Sequence, residues 1–260
     1  MQKFPDSVTY WNTGKLSFLT IVLFIFFLPV DHAGAQIIRK SKVTFLAADS
    51  LLITADHYYS RKDYPYILLF HTEKASRGEF DSIATRFARM KYNCLAVDMR
   101  SGENFGYVDN ETAKRARSRG YSTTLSEGLN DIKAAIAYAV KLSGQPVVLL
   151  GSSSSASLCL LAASDNPQVK AVMAFSPGEF FKPELEITEL AANISKPVFV
   201  TCSDSEVTWI KEMFAETDDK YLDLFLPSGQ VNERGTDLLT PKNAERDQYW
   251  LAVLIFIKSL

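Results

Sequence analysis

Residues 149–155 read LLGSSSS, and the run ASLCLLAA (156–163) follows without a break. An apolar strand ending at Gly151, a turn of small residues and an immediate helix are the strand–turn–helix of a G-x-S-x-G elbow. The central serine of such an elbow sits on the turn in a strained conformation. The residues two before and two after must be small, because the strand and helix backbones approach closely there. Those positions are Gly151 and Ser155, which makes Ser153 the candidate nucleophile. Serine in place of the second glycine keeps the side chain small. Ser153 would stand at a helix N-terminus, where free N–H groups and the helix dipole favour a developing oxyanion. The plainer alternative is a polar strand-to-helix loop of any doubly wound protein.

Outward from the elbow, strand and helix signals alternate. Runs rich in β-branched and aromatic residues occupy 42–47, 51–59, 66–71, 93–99, 146–151, 170–176, 197–202 and 221–226. Several are apolar throughout, as expected of strands covered on both faces. Ser76-x-x-Glu79 and Thr124-x-x-Glu127 read as capping boxes that open helices. The first helix carries Phe80, Ile83, Phe87 and Met90 on one face, and the second Leu129, Ile132, Ile136 and Val140. Thr240-Pro241 is the expected start of the last helix. Two strands meeting at a short turn and then strand–helix alternation predict an α/β fold, a mostly parallel eight-stranded sheet with helices on both faces. The elbow follows the fifth strand. Ser101 to Tyr121 is an irregular insertion whose Lys114, Arg115, Arg117 and Arg119 form either a cationic flap over a pocket or a solvated surface helix.

Composition excludes several classes. Of 260 residues, 47% are hydrophobic and 22% charged, with a formal net charge of −2. Those values exclude a disordered, collagen-like or polytopic membrane chain. Lys+Arg 28 against Asp+Glu 30 leaves no excess to draw nucleic acid. Three cysteines make no disulfide scaffold and have no metal-ligand spacing, so neither metal nor cofactor is expected. Cys94, Cys159 and Cys202 read as small buried hydrophobes.

The N-terminus stands apart. Leu16 to Val30 is almost wholly apolar, follows Lys15, and leads to Ala33-Gly34-Ala35, the small-x-small pattern of a signal-peptidase site. Residues 1–35 are expected to be a signal peptide cut before Gln36, leaving 36–260 as a single domain in the periplasm or outside the cell. An uncleaved anchor is the alternative, but a helix of that stretch reaches only about 22 Å against a hydrocarbon core of about 30 Å. No stable membrane span is expected after cleavage.

Besides the elbow, three segments carry a resemblance: ILLFHTEKASRGEF (67–80), AVDMRSGE (96–103) and AFSPGEFF (174–181). With the elbow, in this order, they make the chain from about Val43 to Leu260 similar to α/β-hydrolases of the dienelactone-hydrolase-like group. The resemblance implies the α/β-hydrolase fold and an esterase-like pocket at the C-terminal strand ends for a small ester-like molecule. It implies an oxyanion hole made by the backbone N–H groups of Thr72 and Ser154. His71 would lie at the pocket mouth and shape the oxyanion loop.

Serine chemistry of this kind needs an acid and then a histidine, in that chain order. The acid belongs in PVFVTCSDSE (197–206), where Glu206 matches by its distance from Pro197 and Asp204 is the second candidate. Ser203-x-x-Glu206 is also a capping box, so Glu206 has a purely structural reading too. The base belongs in PSGQVNERGTDLL (227–239), where the resembling family carries histidine before glycine. Here Arg234 precedes Gly235, and no histidine follows His71. Arginine has no lone pair to accept a proton. His32 falls in the export segment and His57 at the end of an early strand, while Glu233 and Lys242 are neighbours with nothing else to recommend them. Loss of the triad histidine costs about 10⁶-fold in kcat, about 8 kcal/mol, and leaves ~10³–10⁴ over water. Two readings stand: a serine carboxylester hydrolase with an unidentified base, and an inactive pseudo-hydrolase that binds a small ligand or a protein partner.

Overall fold

Each of the eight apolar runs becomes a strand. The structure, a computed structural model, describes residues 37–226 and 228–260. The expected signal peptide lies outside the described residues. The strands are β1 (Arg39–Leu46), β2 (Leu52–Tyr59), β3 (Tyr66–Phe70), β4 (Asn93–Val97), β5 (Val147–Ser152), β6 (Val169–Phe175), β7 (Val198–Thr201) and β8 (Leu222–Phe225). They form one sheet in the order β1-β2-β4-β3-β5-β6-β7-β8. β1 and β2 pair antiparallel, as do β2 and β4, and the remaining pairs are parallel. β3, β4 and β5 are buried at every residue, which is why their sequences do not alternate.

Seven α-helices are described: α1 (Asp81–Arg89), α2 (Glu111–Ser118), α3 (Gly128–Ser143), α4 (Ser154–Ala163), α5 (Ile187–Ala192), α6 (Val207–Met213) and α7 (Arg246–Ser259). Two cores result. One gathers Ile132 and Ile136 of α3 with Leu158 and Cys159 of α4 against Leu68, Leu95 and Leu149 of the sheet. The other gathers Ile83 and Phe87 of α1 with Tyr249, Trp250 and Val253 of α7 against Leu69 and Leu150. Each such side chain contributes about 1.5–3 kcal/mol on burial.

The helix starts differ from the expected ones. Ser76 accepts a bond from the Gly78 N–H, 3.2 Å, and leads a tight turn over Arg77–Phe80 before α1. Glu79 does not reach back to Ser76 but turns toward Thr72, so no box closes. The Thr124 hydroxyl meets those of Ser122 and Ser126, and α3 begins only at Gly128. Thr240-Pro241 lies in a turn rather than in a helix. Trp250 Nε1 donates to Leu239 O and Asn243 Nδ2 to Leu238 O, both 2.9 Å, which pins that turn and delays α7 to Arg246.

The insertion at 101–121 is partly regular. Asn110 Oδ1 accepts the Ala113 N–H at 2.8 Å and caps α2. Arg115 reaches Leu52 O, and Arg117 donates to Gly102 O at 3.1 Å, while Lys114 and Arg119 face outward. Two of the four cations therefore tie the segment to β2 and to its own loop. Beneath it, Arg77 bonds Asp56 (3.0 Å), Asp98 (2.5 Å) and Glu111 (3.0 Å). Arg100 bonds Asp131 and Asp49. Asp98 and Arg100 thus belong to two separate structural clusters and do not pair with each other.

Candidate active site

The site is built on the turn between β5 and α4. Ser153 has φ +57° and ψ −124°, a conformation that costs a non-glycine residue of order 1–3 kcal/mol. Its N–H donates to Phe175 O at 2.8 Å, which fixes the turn to β6. A Cβ at Gly151 would stand 2.6 Å from Ala156 Cα, so only glycine lets α4 start this close to β5. At 155, Ser155 Oγ donates to His71 O at 2.7 Å, so the serine ties the elbow helix to the end of β3. Ser153 is half-buried and lines a cavity of about 340 Å³ with Thr72, Glu79, Phe180, Arg234 and Asp237. Among the described residues, no protein group hydrogen-bonds its Oγ.

Glu206 and Arg234 meet. Glu206 Oε2 accepts bonds from Ser176 Oγ (2.6 Å), Ser203 N (2.9 Å) and Ser203 Oγ (2.9 Å). Its Oε1 accepts Arg234 Nε at 2.7 Å and forms an ion pair with Nη2. The capping box at Ser203 is present as well, which is the structural role the sequence allowed. Asp204 is exposed and does not line the cavity. Gly235 lies at φ +55°, and a Cβ there would stand 2.2 Å from Ser152 Oγ. Its N–H donates to Ser176 Oγ (2.9 Å), and the next N–H, of Thr236, donates to Ser152 Oγ (3.0 Å). The loop therefore follows the elbow closely, and its glycine is sterically required. What stands on the acid is a guanidinium, with no lone pair to take the Ser153 proton.

The histidines lie elsewhere. His71 is buried and not at the pocket mouth. Its Nε2 accepts the Met99 N–H at 2.9 Å, so Nδ1 carries the proton and donates to Thr72 O at 2.7 Å. Burial pushes its pKa down to about 4. With both nitrogens committed, His71 braces the loop after β3 and offers no base. His57 Nε2 lies 2.9 Å from Tyr66 Oη within the sheet. Lys242 pairs with Asp237 at 2.7 Å, and Glu233 does not line the cavity. Cys202 follows β7, and burial together with the charges of Glu206 and Asp204 pushes its thiol up to about 12, far from a reactive thiolate.

Sequence reasoning missed Glu79. Its Oε2 accepts the Thr72 N–H at 2.9 Å, and its Oε1 accepts the Thr236 hydroxyl. The Thr72 N–H, expected to face an oxyanion, is thereby committed to a buried carboxyl, while the list of expected donors keeps Ser154. Burial pushes Glu79 up to about 7, opposed by the bonds from Thr236 and Thr72 and aided by the nearby charge of Asp237. Among the described residues, no cation pairs with it and no group of three or more His, Cys, Asp or Glu could hold a metal ion. Phe180 also lines the cavity, whereas Phe181 is buried. No helix of the described residues is long and apolar enough to cross a membrane.

The model of the dienelactone hydrolase family matches residues 53–221, a span that ends before Arg234. No curated protein matches the sequence. Among solved structures, an esterase of Pyrococcus furiosus superposes with a TM-score of 0.64 at 14% identity, over 98% of this chain and 96% of that one. Dienelactone hydrolase from Anabaena variabilis gives 0.60 at 14% identity, over 84% and 95%. A dienelactone hydrolase-like promiscuous phosphotriesterase from metagenomic libraries gives 0.56 at 16% identity, over 84% and 98%. The shared architecture is the α/β-hydrolase fold.

Proposed function

The chain belongs to the dienelactone hydrolase family, and from that premise we propose that its Ser153 cavity binds a small acyl ligand without turning it over. One observation carries this reading: the Arg234 guanidinium sits on Glu206 in the place where a base would stand. Hydrolysis by a serine needs a presented nucleophile, donors for the oxyanion and an acceptor for the hydroxyl proton. The strained turn supports the first. The second is halved by the Glu79–Thr72 bond. The third lacks a candidate imidazole, and its loss outweighs the others at about 8 kcal/mol. The cavity retains groups suited to binding: the Ser153 hydroxyl, the N-terminus of α4, and Arg234, whose Nη1 has no protein partner among the described residues.

A second reading is favoured by Glu79, which lines the same cavity and titrates at about 7. A carboxylate of that basicity suits general-base work at neutral pH. It would take the hydroxyl proton as Ser153 Oγ bonds to the acyl carbon, then return it to the departing oxygen. A fluorophosphonate probe separates the two readings. The expected result is no covalent labelling of the wild type and no hydrolysis of short aryl esters above the buffer rate. Labelling that is lost in both Ser153→Ala and Glu79→Gln would replace the binding reading with the hydrolase.

A further inference from the structure

A second cavity, about 610 Å³, adjoins the first, and Phe180 lines both. Its other walls include Leu129 of α3, Leu158 and Leu161 of α4, and Phe181 and Leu185 after β6. The lysine in its lining, Lys182, lies 3.5 Å from Glu186 and 3.9 Å from Glu179, so its charge is already answered within the protein. Phe180 is 41% exposed, a large aromatic left open at the junction of two cavities. Its mounting is rigid. The Gly178 N–H donates to Ser157 Oγ at 2.9 Å, and that hydroxyl donates back to Gly178 O at 2.8 Å. A Cβ at Gly178 would stand 2.8 Å from the Phe180 ring, so glycine at 178 lets the ring lie where it does.

We propose that this leucine- and phenylalanine-lined groove is the tail subsite of the Ser153 cavity, and that the ligand is a straight-chain alkanoate. The proposal rests on the reading of that cavity as a ligand site. Three features on the molecule select this occupant. Phe180 lines both the groove and the polar cavity, which suits one ligand with two unlike ends. The groove's walls are mostly hydrocarbon, with Thr124, Ser126, Glu184 and the paired Lys182 as the polar members, which suits a tail that is chiefly hydrocarbon. At the other end, Arg234 holds Glu206 through Nε and Nη2, while its Nη1 has no protein partner among the described residues and its side chain is 63% exposed, which leaves that N–H edge for a carboxylate head. The occupant is therefore amphiphilic, with its head near Ser153 and its methylenes against Leu129, Leu158 and Leu161.

The test is a chain-length series. Butanoate, hexanoate, octanoate and decanoate are titrated calorimetrically into the full chain. Each methylene that enters the groove is expected to lower Kd about fourfold. Leu161→Gln should flatten that gradient while leaving butanoate unchanged, and Phe180→Ala, at a residue that lines both cavities, should flatten it too, with a thermal melt to show that each variant is folded. Arg234→Ala should weaken every member by the same factor. Equal Kd for butanoate and decanoate, or a gradient untouched by both groove variants, would overturn the proposal. Failure of the binding reading looks different: an active Ser153 would announce itself by probe labelling, and the same gradient would then appear in KM for alkanoyl esters.

Discussion

Two buried glutamates serve the Ser153 site, and the protein treats them oppositely. Glu206 has three donors on one oxygen and an arginine on the other. Glu79 has a main-chain N–H and a threonine hydroxyl, and among the described residues no cation. The Glu206 carboxylate is answered by the Arg234 guanidinium. Uncompensated, Glu79 is pushed up to about 7 and becomes the group that titrates in the cavity near neutrality. The lesson concerns counterions rather than carboxylates. One guanidinium separates two similar side chains: Glu206 has it and Glu79 does not. Changing that cation, or removing the charge it does not reach, tests the contrast directly.

The largest expected effect comes from Arg234→His. Gly235 already holds the backbone against Ser152, and Glu206 already faces residue 234, so an imidazole there would find its orienting acid in place. Hydrolysis of short aryl esters should rise by about 10²-fold or more in kcat/KM, a fraction of what a complete triad supplies because Glu79 still holds the Thr72 N–H. The gain should appear as pH rises through the imidazole range, near 6.5. An unchanged rate, with the variant folded, would mean that residue 234 and Ser153 do not face each other and that the two corners are not comparable in this way.

The next effect is read as stability against pH. Glu79 binds its proton more tightly folded, at about 7, than unfolded, at 4.5. Between those values the native state holds more protons than the unfolded one, so this group's contribution is complete below about 4.5 and is lost as pH rises through 7. The full swing is about 3 kcal/mol. Glutamine keeps the acceptor for Thr72 and can donate to the Thr236 hydroxyl. Subtracting the wild-type profile from that of Glu79→Gln should therefore give a difference that climbs in the variant's favour from pH 4.5 to 7 and then levels. Asp131, pushed up to about 6 by burial, and His71, pushed down to about 4, also titrate in or near this range, and both cancel in the subtraction. A flat difference would show that Glu79 is no less compensated than Glu206.

The two corners were also unequally legible in the sequence. The central strands could be placed because burial on both faces writes itself into a short run, as in YILLF (66–70). The elbow and the Glu206 corner were readable because turn glycines and capping residues act over a few positions. The sequence set Arg234 and Glu206 on the two loops of the site, and their pairing comes from the structure alone. Glu79 was different. Its spacing from Ser76 matched a local cap, while its hydroxyl partner Thr236 lies 157 positions away. Nothing short-range could reveal which way the side chain turned. The same limit misplaced the start of α7, where the bonds from Trp250 and Asn243 to Leu239 and Leu238 override the Thr-Pro signal. It also set His71 at the pocket mouth, though partners on both sides hold it behind the loop.

The smallest effect separates the two ends of the ion pair. The Glu206 side chain is 1% exposed and that of Arg234 is 63%. Arg234→Ala strands a carboxylate that water cannot reach well, leaving only the hydroxyls of Ser176 and Ser203 and one N–H to stabilise it. Glu206→Gln instead frees a guanidinium that can turn into solvent, and the amide oxygen can still accept from Ser203 and Ser176. Breaking a fully buried pair costs about 3–5 kcal/mol, and the exposure of Arg234 brings that down to about 2 kcal/mol for Arg234→Ala. Glu206→Gln should cost about 1 kcal/mol, that of one hydrogen bond. Urea melts at neutral pH resolve such a gap if the slopes match. Equal costs would mean that the arginine does not supply the compensation that distinguishes Glu206 from Glu79. The larger penalty on the arginine side would locate that compensation in Arg234.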